Sequence, residues 1–159
     1  MKKKKKLAIA GASGFIGRWF IETYKDDYHI IALSRKKIAP SNSDIEWRTV
    51  DLFSISSSID ALEGVDYALY LVHSMQPSTR LNQSNFEDTD LLLADNFSRA
   101  AEACSLSHIV YVGGILPKDN LNISRHLQSR YEVERVLGSR QTPITPIRAG
   151  IIIGPGGSS

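Results

Sequence analysis

Short apolar runs of about five residues alternate along this chain with longer stretches whose apolar positions recur every three or four residues. The first run, Lys6 to Ala10, predicts a buried strand, and Phe15 to Tyr24 predicts a helix. His29 to Ser34, Ile45 to Val50, Tyr67 to Val72, His108 to Val112 and Thr145 to Arg148 predict five further strands. Between them, Ser54 to Leu62 predicts a short helix closed by Gly64. Asn85 to Cys104 predicts a long one, with Phe86, Leu92, Leu93, Phe97, Ala100 and Ala101 at helical spacing. Ser124 caps a last helix ending at Leu137, before Gly138. Pro40-Ser-Asn-Ser reads as a loop. Strand and helix alternating at this length predict an α/β fold, a doubly wound parallel sheet of about six strands with helices on both faces. The nearly continuous apolar strands agree, because parallel strands are buried on both sides.

Length and composition change this picture little. A chain of 159 residues with 42% apolar residues has the size and core of one ordinary domain. Five of its 19 Lys and Arg are Lys2 to Lys6, which leaves 14 against 17 Asp and Glu, so the body is mildly acidic. No basic face argues for nucleic acid. The apolar run after the lysines meets Gly11 after four residues, too short for an export signal. No run approaches the ~18 apolar residues of a membrane span, so the expected location is cytoplasmic and no membrane partner is expected. Cys104 is the single cysteine, which excludes an internal disulfide and a cysteine zinc site. The four histidines have no metal-ligand spacing, so no metal is expected. Cys104 reads as a small packed residue, Trp19 and Trp47 as packing residues, His29 and His108 as surface residues, and Asp88, Asp90 and Asp95 as the solvated face of the long helix.

The strongest local signal is Gly11-Ala-Ser-Gly14-Phe-Ile-Gly17 between the first strand and the first helix. This is the context a dinucleotide fingerprint requires, here spaced GxxGxxG. Gly11 permits the tight turn, Gly14 lets backbone approach a pyrophosphate, and Gly17 lets the helix pack close to the strand. Ser13, Phe15 and Ile16 complete the turn and the helix N-terminus, whose free N–H groups and dipole suit an anion. The second strand ends Ser34-Arg35-Lys36-Lys37, without the carboxylate that would bind the ribose 2′-hydroxyl of NAD. Arg35 suits a 2′-phosphate through charge-assisted hydrogen bonds and Ser34 adds a hydroxyl, so NADP(H) is favoured over NAD(H). Asp51, after the third strand, either reaches the adenine edge or caps the next helix.

These residues carry a resemblance. The glycine turn, Asp51-Leu52, and Arg148-Ala-Gly-Ile-Ile-Ile-Gly-Pro155 resemble the short-chain dehydrogenase/reductase superfamily, in its extended and atypical branches. These are the NAD-dependent epimerase/dehydratase-like and NmrA-like proteins. Leu71-Val-His-Ser-Met75 and Ser124-Arg-His-Leu-Gln-Ser-Arg130 look like an atypical bacterial subgroup. The resemblance covers about residues 6 to 157. It implies a Rossmann-type NAD(P)-binding domain over 7–153, while the residues themselves read as a lysine-rich cap over 1–6 and a glycine-rich tail over 154–159. That tail reads as the end of a fragment or the start of a missing substrate region. The resemblance implies a homodimer contact on the long helix and places Val72 and His73 beside the nicotinamide ribose. A loop histidine without function is the alternative for His73.

Family chemistry uses a Tyr and a Lys four residues later, on one face of a helix. Alignment puts His126 at the Tyr position and Arg130 at the Lys position, so both signature residues are replaced. Tyr131 lies five residues from His126, roughly 140° around the helix. The family's Ser after the fifth strand gives way to Tyr111-Val-Gly113-Gly114. His126 is a plausible proton shuttle at neutral pH, and Arg130 would hold a ribose hydroxyl or phosphate and depress a nearby histidine by like charge. The alternative is a helix face that lines the cleft without chemistry. Two functions therefore stand. One is a hydride-transfer oxidoreductase or nucleotide-sugar-epimerase-like enzyme acting on a small-molecule substrate. The other is a non-catalytic NADP(H)-binding sensor or regulatory module.

Overall fold

The computed structural model describes residues 4–38, 45–73, 84–117 and 123–156, with backbone alone for 84–87. The expectations on Lys2, Lys3, Pro40 to Ser43, Ser74, Met75, the Phe86 side chain and residues 157–159 lie outside these. Six parallel strands form one sheet: β1 (Lys6–Ala10), β2 (His29–Ser34), β3 (Ile45–Thr49), β4 (Tyr67–Tyr70), β5 (His108–Gly114) and β6 (Ile144–Ala149). Their spatial order is β3-β2-β1-β4-β5-β6. Helices α1 (Phe15–Tyr24), α2 (Ile55–Leu62), α3 (Ser84–Ala103) and α4 (Arg125–Leu137) connect them. The fold is the expected doubly wound α/β fold. The sheet reverses direction of growth between β1 and β4, the point outside whose carboxyl ends such sheets bind ligands.

Local chemistry sets the boundaries. Ser54 caps α2 by accepting the Ser57 N–H, and Ser124 caps α4 by accepting the Leu127 N–H. Gly64 follows α2 at φ +71, the left-handed stop the sequence implies. β4 ends two residues before the expected Val72. After Leu71 N–H reaches Ala10 O at 2.9 Å the chain leaves the ladder. β5 runs two residues beyond Val112, because β6 pairs with it as far as Gly114 opposite Ala149.

Two apolar layers enclose the sheet. On one face Ala8, Ala10, Ile31, Leu33, Ala68, Tyr70, Ile109 and Tyr111 pack with residues of α2, α3 and α4. On the other, Leu7, Ile9, Ile30, Ala32 and Leu69 pack against Ile21 of α1. Among the described residues α1 alone covers that second face. Beyond its reach Val110 and Val112 are half-buried, and Ile147 of β6 is half exposed. The expectation of strands buried on both sides therefore holds for β1, β2 and β4 and fails for β6, an edge strand. No helix among the described residues is long and apolar enough to cross a membrane.

Two further expectations are corrected. Asp90 is 8% exposed, not solvated. It lies three, four and seven residues before Leu93, Ala94 and Phe97, so it shares their inward stripe. Asp95 does face outward, yet it is paired, at 2.9 Å from Arg140. Trp19 is 49% exposed, and its indole N–H donates to Pro155 O at 3.1 Å instead of packing inward. Trp47 does pack, half-buried against the α1 layer. His29 pairs with Glu46 at 3.0 Å and His108 meets Thr145 Oγ1 at 2.8 Å; both are half-buried. Cys104 is a half-buried packing residue whose thiol burial pushes above its ordinary range, opposite to what a nucleophile needs.

α1 sits so close to β1 that a Cβ on Gly17 would lie 2.5 Å from Gly11 O and 2.7 Å from Ala12 Cα. Both are backbone atoms, which cannot swing aside. Gly17→Ala is therefore expected to lose at least ~1–3 kcal/mol of stability. Urea unfolding of the variant against the parent chain measures it; equal midpoints would mean that α1 has freedom to shift.

Candidate functional site

The carboxyl ends of β1, β2, β3 and β4 converge on one side of the sheet, and the expected binding residues lie there. Gly11 turns the chain at φ +91, a conformation that suits glycine. Ala12 is buried and anchors the turn, whereas Ser13 and Gly14 are exposed. Gly14 N–H closes the turn on Gly11 O at 3.0 Å, and Gly14 then serves as N-cap of α1. The first intrahelical bond is Arg18 N–H to Gly14 O, 3.0 Å. The N–H groups of Phe15, Ile16 and Gly17 thus precede the helical ladder and point toward the sheet's ligand edge. Gly154 packs against the Phe15 ring, where a Cβ would come within 2.9 Å of Cζ. The segment after β6 therefore returns across the start of α1.

At the end of β2, Ser34 is half-buried and its Oγ accepts the Lys36 N–H at 3.2 Å. That turn leaves Arg35, Lys36 and Lys37 exposed. After β3, Asp51 is exposed and Leu52 is buried. Asp51 is not the cap of α2, which is Ser54; its Oδ1 instead accepts the Phe53 N–H at 3.0 Å. After β4, Val72 is half-buried. The His73 ring turns back so that Nδ1 meets Leu71 O at 3.0 Å. A carbonyl only accepts, so Nδ1 carries the proton and the neutral ring offers its lone pair at Nε2.

The other half of the site comes from α4. His126 lies in the first turn and is exposed; Arg130, one turn on, is half-buried. The two share a helix face, as the spacing implies. Tyr131 does not join them: the Arg148 guanidinium stands 6.0 Å from its ring centroid, on the β6 side. Tyr111 is buried, its hydroxyl donates to Arg130 O at 3.1 Å, and burial pushes its pKa up to about 12. Neither tyrosine replaces the missing one. Desolvation first, and the Arg130 charge second, hold His126 below the ordinary histidine range, and the same two causes act in the same order on His73. Each histidine is also raised slightly by the Asp90 carboxylate. His73, His126, Arg130 and Asp90 thus share one electrostatic neighbourhood at the ends of β4, α3 and α4.

Sequence reasoning missed Asp90 and Asn96. Both were visible as polar residues inside the Leu93–Phe97–Ala100 stripe of α3, a position where an unpaired polar group is costly. Among the described residues no group of three or more His, Cys, Asp or Glu is placed to hold a metal ion.

Strand order, the strand–glycine turn–helix unit and the site at the switch point define a Rossmann-type α/β domain. Residues 7–130 match the NAD dependent epimerase/dehydratase family, and the chain belongs to it. It is 28% identical over 145 residues to the auxiliary protein GraX of Staphylococcus aureus, spanning 89% of this chain and 43% of that protein. The UDP-N-acetylglucosamine 4-epimerase of Bacillus cereus superposes at a TM-score of 0.69 with 25% identity, over 91% of this chain and 53% of that one. The Bordetella bronchiseptica enzyme WbmG, solved in complex with NAD, superposes at 0.76 with 12% identity, over 92% and 53%. The chain thus spans about half the length of these relatives.

A histidine whose folded pKa lies below its unfolded value binds fewer protons folded than unfolded. Stability then falls as pH drops below the unfolded value of about 6.5. His73 and His126 share this sign. Urea unfolding between pH 7.5 and 5.5, above the carboxylate range, is expected to show declining stability. The decline should shrink in the His73→Asn, His126→Gln double variant, and an undiminished decline would assign it elsewhere.

Proposed function

We propose that this chain is a nicotinamide dinucleotide-binding domain that prefers NADP(H) to NAD(H). The observation that carries the reading is the turn at Gly11–Gly14. It leaves the N–H groups of Phe15, Ile16 and Gly17 ahead of the first helical bond, with exposed Arg35 at the end of the neighbouring strand. The turn suits a pyrophosphate and Arg35 a 2′-phosphate. Membership of a family named for NAD-dependent enzymes supports the cofactor class. Asp51 and Leu52 take the adenine side, Val72 and His73 the nicotinamide side. The Rossmann-type unit over 7–153 is the part of the chain that holds the cofactor.

When bound, the dinucleotide supplies hydride transfer to or from a small carbonyl or sugar-like substrate. The chain's own residues hold and move protons. Neutral His126 accepts a proton from a substrate hydroxyl or, once protonated, returns it to a carbonyl oxygen. Arg130 favours the neutral ring by like charge and binds ribose hydroxyl or phosphate oxygens. A second reading, a non-catalytic auxiliary or sensing module, draws support from two points. Where the resemblance places the Tyr-x3-Lys pair the chain carries His126 and Arg130, and the S. aureus relative is named an auxiliary protein.

Calorimetric titration with NADPH and NADH side by side tests the cofactor assignment. NADPH is expected to bind more tightly, with the preference lost in Arg35→Ala; equal affinity in the parent chain would sink Arg35 as the phosphate reader. NADPH oxidation with a carbonyl panel, abolished by His126→Ala, would separate enzyme from module. Intact binding without turnover would favour the module.

A further inference from the structure

The loop after β3 is held by hydrogen bonds from Asp51 through Ser54. Asp51 N–H donates to Ser57 Oγ at 3.0 Å, and Asp51 O accepts the Ser54 N–H at 3.0 Å. Phe53 N–H is held by Asp51 Oδ1. Leu52 is buried at 8% exposure. From α3, the side-chain amide of Asn96 donates to Leu52 O at 2.9 Å and to Phe53 O at 3.0 Å. Both hydrogens of that amide are thereby used. Asn96 is 3% exposed, so these two bonds are made out of water and tie the loop to the core. What this restraint presents to solvent is an aromatic ring: Phe53 is 56% exposed.

The backbone that carries this phenyl ring is held in place, while the ring itself keeps most of its apolar surface in water. A flat aromatic partner would supply that burial. The ring sits beside Asp51, at the carboxyl end of a strand on the adenine side of the switch point.

We infer that Phe53 is a stacking platform for the adenine ring of the bound dinucleotide, and that Asn96 is the positioning residue that holds it there. This rests on the dinucleotide reading above. It adds a residue of α3, with no expected cofactor contact of its own, to the determinants of affinity. Adenine against a phenyl face is a sequence-tolerant aromatic contact of the kind that commonly changes affinity severalfold to a hundredfold.

The test titrates NADPH into the parent chain and into Phe53→Ala, Phe53→Trp, Asn96→Ala and the Phe53→Ala, Asn96→Ala double variant. Circular dichroism establishes that each is folded. Phe53→Ala is expected to bind about tenfold more weakly and Phe53→Trp within about twofold of the parent. Asn96→Ala should lose affinity, and the double variant little more than Phe53→Ala alone, because both changes remove one contact. The adenine protons of bound NADPH should move upfield in NMR spectra of the parent and not of Phe53→Ala. Parent-like affinity in Phe53→Ala, or additive losses in the double variant, overturns the inference while the cofactor reading stands. A parent chain that binds no NADPH overturns both.

Discussion

The close approach of α1 to β1 is the constraint on which the site depends. Gly17 brings the helix to within a missing side chain of the Gly11 carbonyl and the Ala12 backbone. Ala12, fully buried, pins the turn from beneath. With helix and strand locked at that distance, the start of α1 has one position relative to the sheet. Its unladdered N–H groups then point to one place. An anion site built from backbone needs this rigidity, because backbone dipoles have no side-chain rotamers with which to adapt.

α3 plays the corresponding role along the cleft. Asn96 fixes the loop after β3, and Asp90 lies near the histidines at the ends of β4 and α4. Arg140 reaches from beyond α4 to Asp95 and Ser98, at 2.9 and 3.2 Å, which ties the approach to β6 back onto the same helix. One long helix thereby sets the loop after β3 and the ends of β4 and α4 relative to one another. Its inward polar residues cost solvation, which the hydrogen bonds of Asn96 offset.

On the α4 side the site presents His126 and Arg130 on one helix face, an imidazole held below its ordinary range beside a guanidinium. Both buried tyrosines of the sheet, Tyr70 and Tyr111, are pushed up in pKa by burial, and among the described residues the Tyr70 hydroxyl finds no hydrogen-bond partner. Among the described residues, His126 and His73 are the imidazoles of this neighbourhood, and burial together with the Arg130 charge holds both below the ordinary histidine range. Among the described residues the second face of the sheet is thinly covered at β5 and β6, where Val110 and Val112 are half-buried and Ile147 is half exposed.

Strand and helix identities were legible because each is a local matter of periodicity and capping. Lys6 to Ala10, Phe15 to Tyr24, Ser54 and Gly64 stand where the pattern puts them. The glycine turn was legible for the same reason: its spacing encodes a steric requirement within seven residues. The sequence by itself determined the alternation, the glycine turn and the spacing that puts His126 and Arg130 one turn apart on α4. Only the tertiary structure decided how deeply the polar residues on the apolar stripe of α3 are buried and which partners they find. Asp90 and Asn96 sit on the same helix as Asp88, and burial there depends on which face α3 turns to β4 and β5. The exposure of β6 and of Phe53 likewise depends on what packs beside them, a long-range fact that no local pattern carries.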